Sequence, residues 1–173
     1  RRIALQGSKW ILKLTHFDTV THRLLPAGKT LTRMGSKMAS WYVPTNLLGP
    51  ESVCYLVGAG EDISFDTDIS AKYHCRVATI DPTPRALAHF LASCPGADIG
   101  YCSRQAPVHF FVPVGVWSSD TSMKFYAPRD PAHVSHSIVN LQTTSEFFQA
   151  ECLTLQSIAR RLGDSHIDLL KLD

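Results

Sequence analysis

"CYLVGAGEDISFD", residues 54–66, runs from an apolar stretch into Gly58-Ala59-Gly60 and turns acidic at Glu61 and Asp62. The apolar part, "SVCYLV" at 52–57, predicts a short strand covered on both faces. Two glycines one residue apart let the backbone turn sharply and come close to a ligand, because neither carries a Cβ. Beyond the turn Phe65, Ile69 and Tyr73 recur every four residues, the spacing of one helical face. Strand, glycine turn and helix in that order are the first half of an α/β unit.

The chain downstream repeats the alternation. "CRVATI" (75–80) predicts a second strand ending at Asp81. Thr83 is placed to cap a helix that opens with Pro84 and carries Leu87, Phe90 and Leu91 on one face. "VHFFVPV" (108–114) predicts a third strand, with Pro113 marking an edge or a strand end. "GVWSSDTSMKFYAP" (115–128) reads as a hairpin turning through the polar "SSDTS", and "DPAHVSHSIVNLQTTSEFF" (130–148) as a mostly polar loop. Leu155, Ile158, Ala159 and Leu162 form a helical stripe that Arg160, Arg161 and Gly163 bring to an end. "HIDLLKLD" (166–173) predicts a fourth strand. The expectation is an α/β fold with a mainly parallel sheet and helices on both faces. Ligands of such sheets bind at the carboxyl ends of the strands, where Gly58, Asp81 and Asp173 all fall.

At 173 residues the chain is one domain's worth, and no run approaches the roughly 20 apolar residues of a membrane span. The net charge of +2 hides an asymmetry. Residues 1–50 hold eight Lys/Arg against one acid, Asp18, whereas residues 51–173 hold nine against fourteen Asp/Glu. Residues 1–50 therefore read as a basic N-terminal extension with short packed elements at "KWILKL" (9–14) and "WYVP" (41–44). Residues 51–173 read as the ligand-binding part. The five cysteines show no paired metal-ligand spacing, and Cys54 and Cys75 read as buried small hydrophobes. No metal site and no nucleic-acid partner are expected.

Asp81 lies twenty-one residues beyond Gly60 at the end of the next strand, where an acid accepts hydrogen bonds from ribose hydroxyls. Capping of the following helix is its alternative role. A dinucleotide fingerprint wants a third glycine where Ile63 stands, and Glu61 and Asp62 would repel a diphosphate. A phosphate-free cofactor with positive charge, S-adenosyl-L-methionine, suits these residues better.

"VGAGEDISFD", "IDPTP", "VGVW…KFYAP", "HVSHSI" and "IDLLKLD", with "WYVPTNLLGPESVCY" leading into the first strand, together resemble the FkbM-type family of S-adenosylmethionine-dependent methyltransferases. The similarity runs in order through residues 41–173. It implies a Rossmann-like class I methyltransferase sheet and methylation of a hydroxyl on a sugar or natural-product-like acceptor. Gly58 and Gly60 would form the cofactor turn, Glu61 and Asp62 its acidic continuation, and Asp81 the ribose ligand. Asp173 matches the aspartate that ends the family's fourth strand. The chain opens Arg-Arg and stops at Asp173, so the expectation is the cofactor-binding half of a truncated sheet, its C-terminal strands missing. Candidate general bases are Asp173 and, in the loop "HVSHS", His136 or His133. Ser135 and Ser137 are expected to bond loop backbone. Two other readings are an NAD-dependent oxidoreductase and a catalytically inactive methyltransferase-like binding module.

Overall fold

The structure, a computed structural model, describes residues 30–102, 108–130, 133 and 135–173. The element expected at 9–14 lies outside the described residues. At the centre is a four-stranded, wholly parallel sheet of β3 (Val53–Val57), β4 (Arg76–Ile80), β5 (Val108–Val112) and β9 (Leu169–Leu172). Their order is β5-β4-β3-β9. The chain steps outward from β3 to β4 to β5, then returns to the far side of β3. The switch point therefore lies between β3 and β9, the place where doubly wound sheets open a crevice.

Side-chain alternation distributes the core over the two faces. Cys54, Leu56 and Val77 point to one face, under Phe65, Ile69 and Tyr73 of α1 (Ser64–Tyr73). Phe111 shares a cluster with Ala86 and Phe90 of α2 (Pro84–Ser93). Val53, Tyr55, Ala78, Ile80, Phe110 and Val112 point the other way, onto Ile158 and Leu162 of α3 (Leu155–Leu162). The molecule is thus α/β with a parallel central sheet and helices on both faces. The caps follow their sequence signals: Thr83 accepts from Ala86 N with Pro84 opening α2, and Gly163 ends α3 in the left-handed region.

Cys54 and Cys75 are free and buried, with sulfurs 3.7 Å apart. On the α3 face Arg76 makes a buried ion pair with Asp164 at 2.9 Å, and Tyr55 Oη donates to the same carboxylate at 2.8 Å. Arg76 Nη2 also donates to Cys102 O and Leu162 O, so the buried cation is paired on several sides.

Two expectations need correction. The segment expected as a hairpin supplies β6 (Gly115–Val116) and β7 (Thr121–Tyr126), which do not pair with each other. β8 (Phe147–Leu153) lies between them, parallel to β6 and antiparallel to β7. That strand begins inside the segment read as loop. Its inward side is Phe148, Ala150 and Cys152, and its outward side carries Gln149 and Glu151. Leu31–Asp173 forms one compact unit. The hairpin of β1 (Leu31–Met34) and β2 (Trp41–Pro44) sends Met34 and Val43 into the core beside Phe65.

Candidate ligand-binding site

Three strand ends are levelled by the hydrogen bonds that continue the sheet past its last paired residues. Gly58 N–H donates to Ile80 O at 3.0 Å, Asp81 N–H to Val112 O at 3.2 Å, and Asp173 N–H to Val57 O at 3.3 Å. Gly58, Asp81 and Asp173 are thereby brought to one place, as their positions in the sequence predicted. They line a cavity of ≈ 380 Å³ together with Ala59, Gly60, Pro82, Thr83, Phe125, Ser135 and His136. Gly58 has φ +81°, and a Cβ there would meet Asp173 Cβ and O at 3.1 Å. Gly60 has φ +57° but open space where its Cβ would be. The first glycine is therefore required by conformation and by crowding, the second by conformation alone.

Asp81 is 5% exposed and its carboxylate is fully engaged by the chain. Oδ2 accepts from Ala59 N at 2.8 Å and Gly60 N at 3.2 Å. Oδ1 accepts from Thr83 N at 2.7 Å and from the Thr83 hydroxyl at 2.6 Å. Both roles weighed for Asp81 meet here: it steadies the loop into α2 and it ties down the glycine turn. One of the four positions is replaceable. The Thr83 hydroxyl caps α2 through its oxygen, so it keeps that function if its proton turns away and a ligand hydroxyl donates to Oδ1 instead.

Glu61 and Asp62 stand apart from the cavity lining. Glu61 forms a two-pronged pair with Arg85 of α2, at 2.9 and 3.0 Å. Asp62 Oδ1 accepts from Ser64 N and the Ser64 hydroxyl at the start of α1, and Oδ2 from the Ser36 hydroxyl at 2.6 Å. Burial pushes the Asp62 carboxyl up, but the hydrogen bonds from Ser36 and Ser64 outweigh it and hold the group below the ordinary carboxylate value. The acidic continuation of the turn thus serves helix α1 and a bridge to α2.

The remaining lining comes from the small sheet. Tyr126 exchanges backbone hydrogen bonds with Ser137 at 2.7 and 3.1 Å, which fastens the "HVSHS" loop to β7. His136 then lies edge-on to Phe148 at 5.1 Å, and Phe148 stacks on Phe125 at 5.2 Å. Ser137 Oγ accepts from Val139 N, a bond to loop backbone, while Ser135 lines the cavity. His133 is exposed, 3.6 Å from Asp130, and does not line the cavity. Sequence reasoning passed over Lys171, whose side chain is 8% exposed. Its ammonium donates to Gly58 O at 2.6 Å and lies 3.5 Å from Asp173 Oδ2. A lysine alternating with leucines reads as solvent-facing, so only the apolar residues on both sides of it hinted at burial.

The charges around the cavity suit a particular ligand chemistry. The turn amides that would hold a phosphate are taken by Asp81, and Ser64 N at the start of α1 is taken by Asp62. Asp81 and Asp173 bring two carboxylates to the lining, the second with the Lys171 ammonium 3.5 Å away, while the neighbouring Arg85 is paired with Glu61. A neutral or cationic ligand with hydroxyl donors fits these residues, and a diphosphate does not. Among the described residues no three His, Cys, Asp or Glu side chains gather as a metal site needs, and no helix is long and apolar enough to cross a membrane. No family model matches the chain, and neither a curated protein nor a solved structure does.

Proposed function

We propose that this chain binds S-adenosyl-L-methionine at the carboxyl ends of β3, β4 and β9 and belongs with the FkbM-type, class I methyltransferases, O-methylating a sugar or natural-product-like acceptor. The observation that carries the reading is the occupation of the glycine-turn amides by Asp81, which denies those donors to a pyrophosphate and leaves Asp81 Oδ1 open to a ribose hydroxyl in place of the Thr83 proton. The resemblance of residues 41–173 to that family agrees with it. An NAD-dependent oxidoreductase would need those same amides for its dinucleotide.

The cofactor supplies a methyl group on a sulfonium, ready for in-line displacement. The chain has to align an acceptor hydroxyl and take its proton. Alignment alone lowers such barriers by several kcal/mol, to about 7–11 in the best cases. Gly58 and Gly60 let the backbone approach the cofactor, and Asp81 accepts a ribose hydroxyl where the Thr83 hydroxyl now donates. Asp173, next to the turn, accepts the proton of the acceptor hydroxyl, and His136 from the small sheet is a second acceptor lining the same cavity. Phe125 gives the acceptor an apolar surface.

Isothermal titration with S-adenosylhomocysteine, with NADH as control, tests the reading. Binding of the first and not the second is expected. The reverse would overturn it in favour of the oxidoreductase. Binding without methyl transfer to any hydroxylated acceptor would favour the inactive binding module.

A further inference from the structure

Lys171 has no part in the chemistry above, yet it is the cation most deeply placed beside the turn. Its position on β9 is opposite Leu56, which in turn is opposite Thr79, so the three side chains form a row on the α1 face. A buried ammonium is expensive unless paired. It is paired with the Gly58 carbonyl at 2.6 Å and with Asp173 at 3.5 Å, and it favours the ionised form of Asp66 on α1. Trp41 covers it from β2, its ring centroid 6.0 Å from the ammonium. The peptide groups of the turn are therefore gripped from two sides: Lys171 holds the carbonyl of Gly58, and Asp81 holds the N–H groups of Ala59 and Gly60.

We propose that Lys171 is a positioning residue which, opposite Asp81, clamps the Gly58-Ala59-Gly60 turn in its ligand-ready shape before any ligand arrives. The clamp is a property of the chain alone, and its consequence for binding rests on the cofactor reading above. A charge-assisted hydrogen bond to Gly58 O polarises the Gly58–Ala59 peptide, so the Ala59 amide nitrogen reports the clamp directly. It also fixes the turn next to Asp173, whose Cβ occupies the space a side chain at Gly58 would need. Preorganisation of this kind raises affinity by removing an ordering cost at the moment of binding.

The test compares Lys171→Met, which fills similar volume without charge, with Lys171→Arg, which restores a cationic donor. In the Met variant the Ala59 and Gly60 amide signals should shift and exchange with solvent at least about 10-fold faster, as loss of a charged hydrogen bond implies, while those of Tyr55 and Ala78 stay put. S-adenosylhomocysteine affinity should fall by about 10-fold or more, with recovery of both readouts in the Arg variant. Unchanged turn amides in a folded Met variant would overturn the clamp. Changed amides with unchanged affinity would overturn its role in preparing the site. Should the unaltered chain bind no S-adenosylhomocysteine, the cofactor reading falls, while the amide signals still judge the clamp. If the Met variant does not fold, lysine-labelled wild-type chain decides. A slowly exchanging Lys171 ammonium in contact with Gly58 is expected, and a freely exchanging one overturns the proposal.

Discussion

At the scale of single residues, the two glycines of the turn are not equivalent. An alanine at Gly60 meets no neighbour and pays only for a left-handed backbone, about 1 kcal/mol of stability. An alanine at Gly58 meets that penalty and also the backbone and Cβ of Asp173 at 3.1 Å. Urea unfolding and S-adenosylhomocysteine titration should therefore separate the variants. Gly60→Ala is expected to lose about 1 kcal/mol of stability and to weaken binding through the methyl it adds beside the cofactor, whereas Gly58→Ala should also displace Asp173, with the larger loss in both readouts. Equal losses in both would mean that Asp173 does not crowd the turn. Both glycines were legible from the sequence as a sharp turn, because only the backbone was at issue. The engagement of Asp81 was not, since an acid at a strand end is the same letter whether it faces ligand or amides.

At the scale of elements, the strength of the local signal decided what could be read beforehand. α2 and α3 announce themselves through Thr83-Pro84 and through Arg160, Arg161 and Gly163, groups that act on their own helix. β3, β4 and β5 are apolar enough to be read without knowing their partners. β8 was missed because Gln149 and Glu151 interrupt a short apolar run, and the pairing of β6 with β8 joins Gly115 to Cys152 across 37 positions of sequence. Pairings at that distance leave no local trace. The buried Arg76–Asp164 pair is another such link, joining the start of β4 to the turn after α3. Asp164→Ala would strand the Arg76 charge and the Tyr55 hydroxyl, a loss expected at roughly 3–5 kcal/mol. Chemical denaturation of the variant measures it, and a loss under about 1 kcal/mol, the range of surface pairs, would show the pair to be solvated.

At the scale of the whole molecule, a buried polar chain runs from Asp66 through Thr79 to His109, at 2.7 and 2.8 Å. Burial raises the Asp66 carboxyl to about 6, against the hydrogen bond from Thr79 and the charge of Lys171, and burial lowers His109 to about 4. Between about pH 4 and 6 folded Asp66 keeps a proton that the unfolded chain has released, so its contribution falls as pH rises, by about 3 kcal/mol. Between about pH 4 and 6.5 folded His109 lacks a proton that the unfolded chain binds, so its contribution rises by a similar amount, about 3 kcal/mol. The two slopes oppose each other, and the native chain should show little pH dependence from this pair. His109→Gln should uncover stability that declines from pH 4 to 6, and Asp66→Asn stability that climbs, in urea unfolding across that range. Flat profiles in both variants would contradict the burial of these groups. The hold of Asp81 on the turn amides has a consequence of its own for the chain in solution. A carboxylate built into the same fold as its binding site competes as an intramolecular ligand, at an effective concentration of millimolar order or higher. A phosphate or nucleotide approaching the turn would meet that rival first, so the chain carries its own competitor against anionic ligands.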